Sequence, residues 1–299
     1  LRARKSIRMN VFDFADDSTG QRIAAQLLEA KKKHPKMTIV LRVDTAGTLL
    51  NSCMDKFIDD LFSGDRIGAV VGRAYEFGIS PFTLSALSSD PTSFYALSET
   101  EQKNLKNFLF EIATPDSLFR INKSLALLKA GGIKVVPERN STSKMDHSKV
   151  FAFDGKVVMS GGANIGDHYS GGYENGWRAQ KEYMRDYMMV TRGPAVQLHE
   201  RLLFDDVPIV KPKVLTGKAV SNIRVLHNGP GRSKSHSAFS PERKQITYAV
   251  YKLLDSATTS IVVKHAYLMD SSVVNKLNAA AARGVAVTIL RSQPESPSL

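Results

Sequence analysis

The chain alternates short runs of β-branched apolar residues with longer stretches whose apolar positions recur every three or four residues. Residues 7–14 read as a strand. Residues 21–33 place Ile23, Ala24, Leu27 and Leu28 at helical spacing and end in Lys31, Lys32 and Lys33, a solvated helix end. Residues 38–43, Thr-Ile-Val-Leu-Arg-Val, form a β-branched run suited to a buried strand. Strand, helix and strand in close succession make a βαβ unit, which requires a parallel or mixed sheet. Residues 51–62 predict a helix. Residues 80–101 are rich in Ser, Pro and Thr and read as an inserted loop with little regular structure. A helix over 118–129 is stopped by Gly131-Gly132, and 133–136 is the next strand. Residues 149–153 and 156–159 pair across Asp154-Gly155, a strong hairpin signal. Residues 193–205, with Pro194 near the start, predict a helix.

Residues 208–241 have a different texture. Lys211, Pro212, Lys213, Gly229, Pro230, Gly231, Arg232 and Lys234 mark an exposed basic connector. Beyond it come a helix over 243–256, a strand over 260–264, an Ala-rich helix over 272–283 and a strand over 285–290. This order repeats the N-terminal one. Val11 and Asp17 precede a helix and then Val40-Leu41-Arg42; Val263 and Asp270 precede a helix and then Ile289-Leu290-Arg291. The pattern reads as an internal duplication whose second copy stops early. The organisation read from this is a first lobe over 1–207, a connector over 208–241 and the start of a second lobe over 242–299.

Charge narrows the partners. Lys and Arg number 41 against 29 Asp and Glu, a net charge of +12, which favours phosphate-bearing substrates, an anionic membrane surface or nucleic acid. Cys53 is the one cysteine, so a disulfide framework and a thiolate zinc cluster are excluded, and it reads as a small buried hydrophobe. No run approaches the roughly 18 apolar residues of a membrane span. The basic start and the short, mostly apolar stretch 9–14 are too short and too polar for a signal-peptide core. Peripheral membrane or cytoplasmic placement is favoured. Secretion stays open, because the chain begins at Leu1 rather than at a methionine.

The chemistry concentrates between Met145 and Asp167. The pattern is His147-x-Lys149, then Asp154, then Gly161-Gly162-x-Asn164. On a strand, residues two apart share a face, so His147 and Lys149 point the same way. A fixed positive charge beside an imidazole suits a core badly and makes sense if an anion sits between them. The Gly-Gly turn lets backbone N–H groups approach an oxyanion, and Asn164 adds an amide donor.

This pattern resembles the HKD motif of the phospholipase D superfamily, matching it at His147, Lys149, Asp154, Gly161, Gly162 and Asn164. Trp177, Asp186, Gly193-Pro194-Ala195-Val196 and Phe204 resemble the segment that comes after the motif in cardiolipin synthases and related bacterial phosphatidyltransferases. Upstream, Leu127-Leu128-Lys129-Ala130-Gly131-Gly132-Ile133-Lys134-Val135 is similar to the family's helix–Gly–strand lead-in. Near the end, Arg283-Gly284-Val285 with its flanking residues is similar to the opening of the family's second lobe. Residues 79–116 have no counterpart.

The resemblance implies an α/β fold: a phospholipase D-like mixed β-sheet flanked by helices, one complete lobe plus the beginning of a second. It implies a metal-free, cofactor-free phosphodiester exchange in which one motif histidine becomes a phosphohistidine and a second protonates the leaving alcohol. His147, Lys149 and Asp154 are the implied catalytic set, and Asn164, Gly161 and Gly162 the phosphate-binding set. Asp154 sits at a hairpin turn and suits orienting neighbours better than proton transfer. Trp177, Asp186 and His168 are candidate pocket residues, with core packing the competing reading for Trp177 and a surface position for His168. The superfamily works with two motifs, and this chain has one. The 105 positions from Arg42 to His147, repeated from Arg291, put a second motif histidine roughly a hundred residues past Leu299. The expected partners are therefore a phospholipid or other phosphodiester, an anionic membrane, and a second lobe or homodimer partner that completes the site. A nuclease of the same superfamily and a catalytically incomplete fragment are the alternatives.

Overall fold

The computed structural model describes residues 3–62, 67–89, 96–138, 146–170, 186–193, 195–204, 245–265 and 270–291. Trp177, Pro194 and the expected connector over 208–241 lie outside them. The chain divides into two compact units, Leu1–Val220 and Ser221–Leu299.

The first unit begins with β1 (Ser6–Val11), α1 (Ser18–Lys33) and β2 (Thr38–Asp44), the expected βαβ unit, with β1 and β2 parallel. Six helices come next: α2 (Thr45–Asn51), α3 (Met54–Phe62), α4 (Ile67–Glu76), α5 (Pro81–Ser89), α6 (Glu99–Ile112) and α7 (Pro115–Ile121). Then come α8 (Lys123–Ala130), β3 (Lys134–Glu138), β4 (Val150–Phe153), β5 (Val157–Gly161), α9 (Asp167–Ser170), β6 (Met188–Arg192) and α10 (Ala195–Leu203). Among the described residues the sheet has six strands in the order β3-β2-β1-β4-β5-β6. The β3-β2-β1 part is parallel and the β1-β4-β5-β6 part antiparallel. This is the mixed sheet flanked by helices that the pattern of apolar runs implies.

The loop expected over 80–101 is not what forms there. Ser80 caps α5, its hydroxyl accepting from the Thr83 N–H at 3.0 Å, with Pro81 at the first helical position. Ser98 and Glu101 form a reciprocal capping box at the start of α6. The Ser, Thr and Pro residues that suggested a loop act as helix-start signals. The apolar residues Leu84, Leu105, Phe108 and Leu109 of these two helices join the main core. Two expected helices are also divided. Residues 51–62 break at Ser52-Cys53. Residues 118–129 break at Asn122, whose Oδ1 caps α8 at the Leu125 N–H (2.9 Å) while its Nδ2 donates to the Phe14 carbonyl (2.7 Å). Cys53 is buried, as a small hydrophobe should be, and burial pushes its thiol up to about 11.

The two faces of the sheet bury different residues. Ile7, Met9 and Val11 of β1 and Ile39, Leu41 and Val43 of β2 face the large core under α1, α8 and the helices between β2 and β3, with Phe151 and Phe153 partly buried against it. The opposite face carries a smaller cluster: Val40, Val150, Ala152 and Val158 under Val196 and Phe204 from the α10 region. The predicted helix over 193–205 is thus realised as α10.

The second unit holds α11 (Gln245–Ser256), β7 (Ser260–His265), α12 (Ser271–Ala282) and β8 (Ala286–Arg291). β7 and β8 pair in parallel, and Asp270 caps α12 by accepting from the Ser272 and Val273 N–H groups. The element order of the N-terminal βαβ unit recurs, including an aspartate N-cap: Asp17 plays that part for α1.

Candidate active site

The β4–β5 hairpin turns at Asp154 and Gly155, both with positive φ (54° and 65°), and the Lys156 N–H closes the turn on the Phe153 carbonyl at 2.9 Å. This is the turn chemistry that the Asp-Gly pair predicts. It fixes the register Phe151↔Met159 and Phe153↔Val157. Continued past the strand, the register brings Lys149 opposite Gly161, whose N–H donates to the Lys149 carbonyl at 3.2 Å.

Lys149 is 3% exposed, whereas His147 is exposed. The Lys149 Nζ lies 2.8 Å from His147 Nδ1, donates to the His147 carbonyl at 2.8 Å, and stands 5.1 Å from the centre of the Phe12 ring. That ring also packs against the imidazole, with centroids 4.4 Å apart. Burial, and next the Lys149 charge, lower the His147 pKa, so the imidazole is neutral near pH 7. Burial pushes the Lys149 ammonium down to about 8, against the opposing charges of Asp186, Asp13, Asp146 and Asp44. A buried ammonium touching a neutral imidazole is prepared for an anion.

Asn164 is buried and is joined to Asp13, whose charge reaches Lys149. Its Oδ1 accepts from the Asp13 N–H at 3.1 Å, and its Nδ2 donates to the Tyr169 hydroxyl at 2.9 Å. The segment after β5 is pinned to the end of β1 by Ala15 N–H to Ile165 carbonyl (2.8 Å) and Ile165 N–H to Asp13 carbonyl (3.2 Å). The two glycines do something other than the expected cradling of an oxyanion. Their N–H groups donate to the Lys149 and Tyr187 carbonyls. A Cβ on Gly161 would collide with the Tyr187 carbonyl, and one on Gly162 with the Asp186 carboxylate. Close approach of the chain leading into β6 demands glycine here. The same approach brings the charge of Asp186 to Lys149 and His147.

Asp154 stands apart from this group, at the far end of the hairpin. Its carboxylate accepts from the N–H groups of Arg4, Lys5 and Ser6 at 2.7–3.1 Å. Burial would raise its pKa, but the amide donors outweigh that and hold it below the ordinary value. It orients backbone, as the turn position suggested. His168 is half-buried and tilts against Tyr169 at 4.4 Å, with Asp17 and Asp167 as its charged neighbours.

Asp13 was not among the expected site residues. It is 1% exposed and takes a 2.5 Å hydrogen bond from the Ser52 hydroxyl; its other oxygen has no partner among the described residues. Burial pushes its carboxyl up to about 7. One signal was available: a carboxylate in the apolar run Val11-Phe12-Asp13-Phe14, at the strand parity of Met9 and Val11. Among the described residues no group of three or more His, Cys, Asp or Glu is arranged to hold a metal ion, and no helix is long and apolar enough to cross a membrane.

No protein-family model matches the chain. Cardiolipin synthase 1 of Staphylococcus aureus is 27% identical over 290 residues, covering 89% of this chain and 56% of that protein. The cardiolipin synthase of Geobacillus thermodenitrificans is 26% identical over 183 residues, covering 56% of this chain and 35% of that protein. Among solved structures, phosphatidylserine synthase from Haemophilus influenzae is similar over 99% of this chain and 60% of that one, with a TM-score of 0.52 at 15% identity. The fold is therefore phospholipase D-like. In sequence the chain is similar to cardiolipin synthases. It spans about a third to just over half of the length of these cardiolipin synthases.

Proposed function

We propose that this protein exchanges the alcohol on a phospholipid phosphodiester: phosphatidyl transfer, with hydrolysis as the same reaction taken to water. The observation that supports this most is the buried Lys149 ammonium 2.8 Å from the His147 imidazole, in a chain whose relatives are cardiolipin synthases.

The nonbridging oxygens of the substrate bind at Lys149, beside Asn164. An ammonium prefers an anionic oxygen to a neutral ring nitrogen, so Lys149 turns from Nδ1 to the phosphate. Nδ1 then carries the ring hydrogen, and the lone pair moves to Nε2. Nε2 attacks phosphorus, the P–N bond forms, and the P–O bond to the first alcohol breaks. That alcohol takes a proton from a second acid, the histidine of a second motif, supplied by another part of the protein or by a second copy. The acceptor alcohol returns a proton to that group and attacks phosphorus. The new P–O bond forms and His147 leaves. Lys149 offsets the charge that builds on the phosphoryl oxygens in both steps.

The test uses the intact protein, vesicles of phosphatidylglycerol and an acceptor alcohol other than glycerol, such as ethanol. The expected result is a phosphatidyl-alcohol product that persists in EDTA, disappears in His147→Ala, and passes through an acid-labile phosphoenzyme. Metal-independent cleavage of single-stranded DNA, with no lipid product, would replace this reading by a nuclease, which the net charge of +12 also accommodates. Anion binding without turnover of either substrate would mark a catalytically incomplete chain.

A further inference from the structure

We infer that an apolar cavity beside the His147 site holds one acyl chain of the lipid whose phosphodiester the site binds. The inference rests on the proposed phosphodiester site and adds to it.

Lys149, Phe151 and Phe153 stand two apart along the direction of β4, so these side chains leave one face of the sheet in a row, and the imidazole of His147, which precedes the strand, meets the Lys149 ammonium at 2.8 Å. The chemistry ends at Lys149, and the row beyond it is apolar. A cavity of about 300 Å³ lies along this part of the row, floored by Met9, Phe151, Met159 and Met188 and walled by Ile23 and Leu27 of α1. The volume is at the small end of ligand pockets, which are mostly apolar with a few placed polar groups. Four lining residues are polar: Thr19 and Gln26 on α1, and Asn164 and Tyr169 after β5. Asn164 and Tyr169 line the cavity and hydrogen-bond to each other, and Asn164 is also held by the Asp13 N–H in the site itself. Cavity and site therefore share a wall. Along β5 the distance from the level of Gly161, opposite Lys149, to the level of Val157 is about 13 Å.

The match to an occupant is one of charge and polarity together. At one end is a buried cation, and along the rest are methionine, phenylalanine and branched aliphatic side chains. Methionine adapts its shape to a flexible chain. An anionic amphiphile, with a phosphodiester at Lys149 and a hydrocarbon tail along Phe151 and Met159, satisfies both ends. A nucleic acid strand satisfies only the first. This face stays open because α1 and α8 cover β1 to β3, while at β6 Val190, level with Met159, is 50% exposed.

The experiment measures binding of monomeric phosphatidylglycerols of increasing acyl length to the intact protein. A second readout is a phosphatidylglycerol with a diazirine at the tail end, its crosslinks mapped by mass spectrometry. Wild type should tighten about fourfold per added methylene until the cavity is full. Crosslinks should fall on Phe151, Phe153 or Met159. Met159→Trp, which fills the floor, should flatten the chain-length series, and Ile23→Trp should do the same from the helix side. Met159→Ala should extend the series to longer chains. Melting curves of each variant establish that it folds. Equal affinity for short and long chains, with phosphatidyl transfer intact, would overturn the cavity while leaving the lipid reading in place. Methionines 159 and 188 shielded from oxidative labelling in lipid-free protein would also overturn it, because polypeptide would then fill the space. Binding of no lipid at any length, with no transfer, would remove the lipid reading itself.

Discussion

At one end of the β4–β5 hairpin, a lysine with 3% of its surface exposed touches an imidazole, and four carboxylates nearby oppose the fall of its pKa. At the other end, Asp154 stands partly in solvent and spends its charge on the amides of Arg4, Lys5 and Ser6. Both ends belong to one short signature, and the strand between them separates Lys149 from Asp154 by five positions, about 16 Å. The comparison teaches that residues at fixed spacing need not form one site. His147 and Lys149 form the pair to which the proposed chemistry is assigned. Asp154 holds the strand next to that chemistry in register, since the amides it binds lead into β1, which pairs with β4 as Ile7↔Phe153. A turn residue with φ of 54° must tolerate the left-handed region, and aspartate does so while its carboxylate reaches backwards.

The comparison can be broken by substitutions at either end. The largest effect is expected at the chemical end. His147→Ala should lower phosphatidyl transfer by about 10³-fold or more, on the order of the loss of other covalent nucleophiles, with an unchanged melting temperature. Lys149→Met should lower transfer by about 10² to 10³-fold. Its melting temperature should hold or rise, since a costly buried charge is gone. Sign comes from the pKa: Lys149 is lowered to about 8 in the folded protein, so wild-type stability should rise as pH goes from about 8 toward 10.5, and Lys149→Met should lose that rise. Activity should fall above pH 8 as the ammonium deprotonates. It should also fall on the acid side as the imidazole, whose pKa is below its ordinary value, takes up a proton.

Asp13 sharpens the same end. Its carboxyl is raised to about 7, so the protonated form is favoured in the folded state. Stability from this group is present at pH 4 and is lost as pH rises to about 7, a change of up to about 4 kcal/mol. Asp13→Asn should flatten that slope in denaturant titrations between pH 5 and 8. If the slope persists in the variant, the buried carboxyl is not its source.

The smallest effect belongs to the turn end. Asp154→Ala orphans three amides that water can partly reach, and it places alanine at a positive φ. A loss of about 1–3 kcal/mol in unfolding free energy is expected, with kcat changed no more than a few-fold. Because its pKa is depressed, the contribution is present at neutral pH and is lost as pH falls through that lowered value. A large fall in kcat with unchanged stability would erase the distinction between the two ends.

Much of the first unit was legible in the chain. The βαβ start, the strand over 133–136 and the hairpin arise from period-two and period-3.6 patterns that local sterics enforce, whereas β6 was not read from the chain. His147 and Lys149 were legible from their spacing, although β4 begins only at Val150 and the Lys149 ammonium reaches back to the imidazole and carbonyl of His147. Two helices in the region expected to be a loop were not. Their Ser, Thr and Pro residues are turn formers and helix caps alike, and what separates the two outcomes is whether Leu84, Leu105 and Phe108 find a core to enter. Gly161 and Gly162 show the same limit. Their need for glycine was readable, but the reason, close approach of Tyr187 and Asp186, lies about 25 residues away in sequence.

The sequence by itself determined the N-terminal βαβ unit, the turn at Asp154-Gly155, the spacing of His147 and Lys149 and the basic character of the chain, all of which depend on neighbours within a few residues. Tertiary structure decided the rest. It buried Lys149, brought Asp13 and Ser52 from two separate elements to the same place, and directed the glycine amides to other carbonyls. It also left an apolar cavity against the polar site. Each of these depends on which distant surfaces meet, and that is set by the packing of the whole core and not by any local run.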